Sequence, residues 1–128
     1  MRCLIVDDSD QFRTTASTIL QRGGIAVVGT ATNTADALRS YQELRPDVTL
    51  VDVDLGTESG FDVVRALHEV GAPASGLILI STHAESDLTD LIAVSPVSGF
   101  LPKFAFSTKA VRDLVGDAES TAVQSDSR

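Results

Sequence analysis

Five short apolar runs, each almost unbroken, constrain the fold of this chain more than any other feature: Cys3-Leu4-Ile5-Val6, Ile25-Ala26-Val27-Val28, Val48-Thr49-Leu50-Val51, Leu77-Ile78-Leu79-Ile80 and Gly99-Phe100-Leu101. Their lengths suit strands. A strand with one wet face alternates apolar and polar residues, so runs without alternation mark strands covered on both faces, as in a parallel sheet. Between them, apolar residues recur at helical spacing: Phe12, Ala16, Ile19 and Leu20, then Ala37, Leu38, Tyr41 and Leu44, then Phe61, Val64, Leu67 and His68. On this stripe His68 reads as a packing residue. A further helix is expected near Ser86 to Val94. The pattern is βα five times over, which predicts an α/β fold: an open, doubly wound parallel sheet with right-handed crossovers and helices on both faces.

Start and stop signals agree with this division. Ser9, Asn33, Ser59 and Ser107 are placed as N-caps, the third with Asp62 three positions on, and Gly23, Gly71 and Gly116 follow helix ends. Arg45-Pro46 ends the second helix, because proline disfavours helical geometry in the residue before it. The domain is expected over residues 1–116, and residues 117–128, nearly devoid of large apolar side chains, read as a disordered tail. With 43% apolar residues in 128, the chain can build one core and has no room for a second.

Eighteen acidic residues against ten basic ones give a net charge of −8, which opposes direct binding to nucleic acid or an anionic membrane. No apolar run approaches the ~20 residues needed to span a bilayer, and the chain starts in a strand pattern without a signal peptide, so a cytoplasmic location is expected. Cys3 is the only cysteine, which excludes an internal disulfide and a Cys-based metal site and leaves it as a small core residue.

In doubly wound sheets the ligand site lies beyond the carboxyl ends of the strands. The residues just after the runs are Asp7 and Asp8, Asp52, Ser81 and Thr82, and Lys103. Three neighbouring carboxylates repel one another, so a cation must sit among them. Oxygen ligands without His or Cys suit a hard cation, and Mg²⁺ is the natural choice. With that charge neutralised, Asp52 can act as a nucleophile towards phosphorus, while Lys103 and a hydroxyl hold the remaining oxygens.

These motifs, in this order and spacing, resemble the receiver domain of bacterial response regulators, the partners of histidine kinases in two-component signalling. Leu4-Ile5-Val6-Asp7-Asp8-Ser9 is similar to the family's acidic pair, and Asp47-Val48-Thr49-Leu50-Val51-Asp52 to its phosphoacceptor strand. Gly60 matches the glycine that opens the third helix, Ile80-Ser81-Thr82-His83-Ala84 the hydroxyl-bearing turn, and Gly99-Phe100-Leu101-Pro102-Lys103 the strand with the aromatic switch and the lysine. The resemblance implies a flavodoxin-like sheet ordered 2-1-3-4-5 and a single-domain response regulator, no enzyme, that accepts a phosphoryl group on Asp52. It implies Mg²⁺ held by Asp8, Asp52 and the backbone carbonyl of Asp54, with Asp7 assisting through water. Ser81 would be drawn to the phosphoryl group, Phe100 would turn inward, and Asp54 and His83 would modulate access of water. The implied partners are a histidine kinase or phosphotransfer protein upstream, and an unknown protein or a second copy of the chain downstream.

Two positions depart from the family. Phe104 follows the lysine where proline joined by a cis bond is usual, and Gly56 stands where proline is frequent. A cis bond before a non-proline residue costs about 2.5–4 kcal/mol, so a trans Lys103-Phe104 bond is expected, with Phe104 and Phe106 near the surface. Two rival readings remain. Asp52-Val53-Asp54-Leu55-Gly56-Thr57 has some likeness to the motif of haloacid-dehalogenase-type phosphohydrolases, and a receiver-like adaptor could bind partners without phosphorylation.

Overall fold

A computed structural model describes residues 1–115. Its strands are β1 (Arg2–Val6), β2 (Ala26–Ala31), β3 (Val48–Asp52), β4 (Asp54–Leu55), β5 (Glu58–Ser59), β6 (Leu77–Ser81) and β7 (Gly99–Pro102). Its helices are α1 (Asp10–Arg22), α2 (Thr34–Leu44), α3 (Gly60–Glu69), α4 (Thr89–Ala93) and α5 (108–115). The five main strands pair in parallel in the order β2-β1-β3-β6-β7. Counting those five alone, this is the expected order 2-1-3-4-5.

The alternation of side chains along each strand builds two cores. Leu4, Val6, Val51, Leu77, Leu79 and Phe100 face α2 and α3, with Ile92 of α4 packed at the rim. Cys3, Ile5, Leu50, Ile78, Ile80 and Leu101 face the other way, towards Ala16 and Leu20 of α1 and Val111 and Val115 of α5. Every residue of β3 and β6 is buried, which is why their sequences show no polar alternation. Cys3 is a core residue as expected, and burial pushes its thiol up to about 12.

The caps follow the sequence. Ser9 Oγ accepts from Phe12 N–H, Asn33 Oδ1 from Asp36 N–H, Ser59 Oγ from Phe61 N–H and Ser107 Oγ from Ala110 N–H. Asp62 pairs with Arg65. Arg45 leaves the helix in the left-handed region at φ 47°, and Arg2 donates to the carbonyls of Leu44 and Arg45 to close that end.

Three sequence expectations need correction. β2 begins after Ile25 and runs three residues past Val28, because Asp7 N–H donates to Ala31 O and extends the pairing with β1. Ile25 instead packs on the α1 side, with its N–H on Leu20 O. The fourth helix is confined to Thr89–Ala93 after a 3₁₀ turn at Glu85–Asp87, since no side chain caps its start and none of its residues is fully buried. His68 is not part of the α3 core stripe; Val63 takes that place, and His68 Nδ1 bonds the Ala72 carbonyl at 2.8 Å. Gly23 follows the end of α1 as expected, with an ordinary φ of −89°, and the left-handed turn falls on Gly24, at φ +89°. The expectations for Gly116 and the 117–128 tail lie outside the described residues.

The β4–β5 hairpin was not legible in the sequence. Its turn places Gly56 at φ +75°, a conformation that proline, fixed near −65°, cannot adopt. The Lys103-Phe104 bond is trans, as are all peptide bonds among the described residues. Phe104 is 84% exposed as expected, whereas Phe106 turns inward and packs against the α1–α5 core.

Candidate functional site

Parallel pairing brings all the strand ends to one edge. Val6 is level with Val51, Asp52 with Ile80, and Ser81 with Pro102, so Asp7, Asp52, Ser81 and Lys103 emerge side by side. Asp7 is fully buried, Asp52 nearly so, and Asp8 exposed; ligand oxygens of the three lie within 4.8 Å of one another. Lys103 Nζ enters from the β7 side, 2.8 Å from Asp7 Oδ2 and 3.2 Å from Asp52 Oδ2. Three carboxylates against one ammonium leave a charge of −2, which one divalent cation balances. The donors are oxygens only, which fits Mg²⁺.

Local bonds fix each group. Ser9 N–H donates to Asp7 Oδ1 at 2.8 Å, and Asp54 N–H donates to Asp52 Oδ1 at 3.2 Å. Burial pushes the Asp52 carboxyl up to about 6, the Asp7 carboxylate adds to the push, and the Asp54 N–H and Lys103 offset only part of it. Burial alone would lower the Lys103 ammonium, but its hydrogen bond to Asp7 and the charge of Asp52 outweigh it and raise its pKa.

The Asp52 shift carries a signed prediction. Its ordinary value is 3.8, so the folded protein holds this proton more tightly than the unfolded chain, and the charged carboxylate costs stability as pH rises from about 4 to 6. The full shift corresponds to about 3 kcal/mol, and solvent access at the mouth of the site reduces it to about 1–2 kcal/mol. Without metal, Asp52→Asn should therefore match the wild type near pH 4 and exceed it by that amount above pH 6. Urea denaturation across this range checks it; a gap independent of pH would contradict it.

Ser81 is buried and its Oγ accepts from His83 N–H at 2.9 Å, while Thr82 and His83 are exposed. Asp54 is exposed, with its Oδ1 accepting from Gly56 N–H. Phe100 is buried, 7% exposed, in the core cluster against which Leu88, Ile92 and Val97 also pack. The ring therefore occupies the inward position in this structure.

Sequence reasoning missed three neighbours of the site. Arg13 donates to the Asp7 carbonyl at 2.7 Å and also pairs with Asp10. Phe12, read only as part of the α1 stripe, lies under Lys103, whose Nζ is 4.4 Å from the ring centroid. Glu58 Oε1 accepts from Thr34 Oγ1 and N–H, which holds its carboxyl below the usual range and ties the hairpin after Asp52 to the start of α2. The position of Phe12, five residues after Asp7 on the first turn of α1, was the one available signal.

Comparison with known proteins agrees with this geometry. A family model described as the response regulator receiver domain matches residues 3–114. Chemotaxis protein CheY of Thermotoga maritima is 31% identical over 77 residues, covering 60% of this chain and 64% of that protein. A protein-glutamate methylesterase/protein-glutamine glutaminase of Halobacterium salinarum is 46% identical over 59 residues, 46% of this chain and 17% of that protein. The match thus spans less than two thirds of either relative. Among solved structures, the signal receiver domain of NarL from Mycobacterium tuberculosis superposes with a TM-score of 0.78 at 29% identity, covering 92% of this chain and 95% of that one. Vibrio cholerae chemotaxis protein CheY4 gives 0.75 at 26% identity, covering 91% and 96%.

Proposed function

Because this chain belongs to the response regulator receiver domain family, we propose that it is a cytoplasmic phosphoacceptor: Asp52 takes a phosphoryl group from a histidine kinase or phosphotransfer protein, and the protein answers by changing the surface it offers. The observation that carries this reading is Lys103 Nζ within 3.2 Å of the Asp52 carboxylate, beside three carboxylates whose oxygens lie within 4.8 Å of one another. Asp8, Asp52 and the Asp54 backbone carbonyl would hold the ion, with Asp7 reaching it through water. When bound, Mg²⁺ neutralises the carboxylates and draws charge from the phosphoryl oxygens.

The chain's own groups do the rest. An Asp52 oxygen attacks phosphorus, the P–N bond of the donor phosphohistidine breaks, and its imidazole leaves. Lys103 turns from Asp52 towards a phosphoryl oxygen. Ser81 Oγ accepts from His83 N–H, so its own proton is free to donate to another phosphoryl oxygen. Phe100, level with Leu79 on β6, carries a shift of Ser81 into β7 while staying buried. Asp54 and His83 flank the mouth and set how readily water reaches the acyl phosphate. An unknown downstream protein or a second copy of the chain reads the change, with no nucleic acid or membrane contacted directly. Among the described residues no helix is long and apolar enough to cross a membrane.

Intact-mass analysis after incubation with a small phosphodonor tests the reading. One phosphoryl group per chain, gained only with Mg²⁺, is expected. No gain would favour a receiver-like adaptor, and release of many equivalents of phosphate from a small ester would favour a phosphohydrolase. Mg²⁺ alone should raise the Tm, with about 2.7 kcal/mol of stabilisation at a hundredfold excess over Kd. Asp8→Asn should melt higher than wild type without metal and respond less to it; an equal response would place the cation elsewhere.

A further inference from the structure

Carboxylates are only part of what holds the Lys103 ammonium. Its side chain is 15% exposed, with Asp7 and Asp52 on one side and the face of Phe12 on another, 4.4 Å from Nζ to the centroid. Phe106 meets that ring edge-on, with centroids 5.4 Å apart and planes at 73°. Phe106 directly precedes Ser107, the residue that caps α5. We infer that Phe12 is a positioning residue for Lys103: its ring face holds the ammonium at the acidic group, and Phe106 fixes the tilt of the ring. This deepens, and rests on, the reading of Asp52 as phosphoacceptor.

A ring face suits this position better than a fourth acid would. Another carboxylate would add negative charge where an anionic phosphoryl group must arrive. An aromatic face attracts a cation through its quadrupole and adds no net charge. It also makes no directional hydrogen bond, so Nζ can rotate against it and exchange Asp52 Oδ2 for a phosphoryl oxygen without leaving its place. Core packing alone does not explain the residue. Ala16 and Leu20, on the same face of α1, are fully buried, whereas Phe12 is only partly so and lines, with Ser9, Gln11, Thr15 and Thr82, a groove of about 300 Å³ beside Lys103. The edge-to-face contact ties that ring to the residue just before the α5 cap.

The experiment compares Phe12→Leu, which keeps apolar bulk without a ring face, with Phe12→Tyr, which keeps the face. By NMR, the ε-methylene protons of Lys103 should be shifted upfield by the ring current in the wild type and in Phe12→Tyr, and should return to ordinary lysine positions in Phe12→Leu. With a small phosphodonor and Mg²⁺, Phe12→Leu should gain its phosphoryl group about three- to thirty-fold more slowly, with Phe12→Tyr restoring the wild-type rate. Thermal melts establish that each variant is folded; should Phe12→Leu fail to fold, Phe12→Met is the ringless variant that must show the same loss. A ringless, folded variant labelled at the wild-type rate, or Lys103 resonances unmoved by loss of the ring, overturns the inference and leaves Asp52 in place. A wild type that takes no phosphoryl group overturns both.

Discussion

Asp52→Asn is expected to abolish phosphoryl gain altogether, at any concentration of a small donor and of Mg²⁺. The substitution keeps the size of the side chain and its place at the end of β3, where Ile80 stands level with it. It removes the one property the chemistry requires, since the nitrogen lone pair of an amide is delocalised into the carbonyl and neither atom attacks phosphorus usefully. A melt of each protein separates loss of labelling from unfolding, because the same substitution relieves a buried carboxylate and should stabilise the metal-free protein above pH 6. A variant that melts higher and takes no phosphoryl group is the combined signature; undiminished labelling would remove Asp52 from the role.

Gly60→Ala should damage the site through the backbone. A Cβ at Gly60 would lie 2.0 Å from the Asp52 carbonyl oxygen and 2.8 Å from Val53 Cα, and neither is a flexible side-chain end that can swing aside. The close approach exists because Gly60 N–H donates to Val53 O at 2.8 Å, seating the start of α3 against the end of β3. Forcing the two apart is expected to cost about 2–4 kcal/mol, a fall in Tm of about 10 °C. It should also slow labelling, since Asp52 moves with its own carbonyl. Denaturant unfolding and the labelling rate check both effects; a variant as stable as wild type would mean that α3 can withdraw at little cost.

Much of this was open to reading in the sequence, for identifiable physical reasons. β3 and β6 are buried on both faces, so they are continuously apolar, and a parallel sheet sends whatever follows each strand to the same edge. That alone gathers Asp7, Asp8, Asp52, Ser81 and Lys103. Elements held by few contacts were less legible. The segment around α4 carries apolar residues at helical spacing but buries none of them fully, so only five residues close into a helix. The β4–β5 hairpin rests on two residue pairs and one left-handed glycine, which leave no periodic trace. His68 and Val63 illustrate the limit of counting spacing: both lie near the stripe of α3, and the direction from which the sheet approaches decides which is buried. Phe12 escaped because an aromatic on a helical stripe looks the same whether it faces a core or an ammonium.

The central claim is that one carboxylate, that of Asp52, carries the phosphoryl group, and locating that group tests it most directly. After labelling with a small phosphodonor and Mg²⁺, borohydride reduces an acyl phosphate to the alcohol, which leaves homoserine in place of the modified aspartate for peptide mass spectrometry to find. The account predicts homoserine in place of Asp52 alone, and none when Mg²⁺ is withheld. Homoserine in place of Asp7, Asp8 or Asp54, or a phosphoryl group that resists reduction as a stable ester on Ser81, would contradict it.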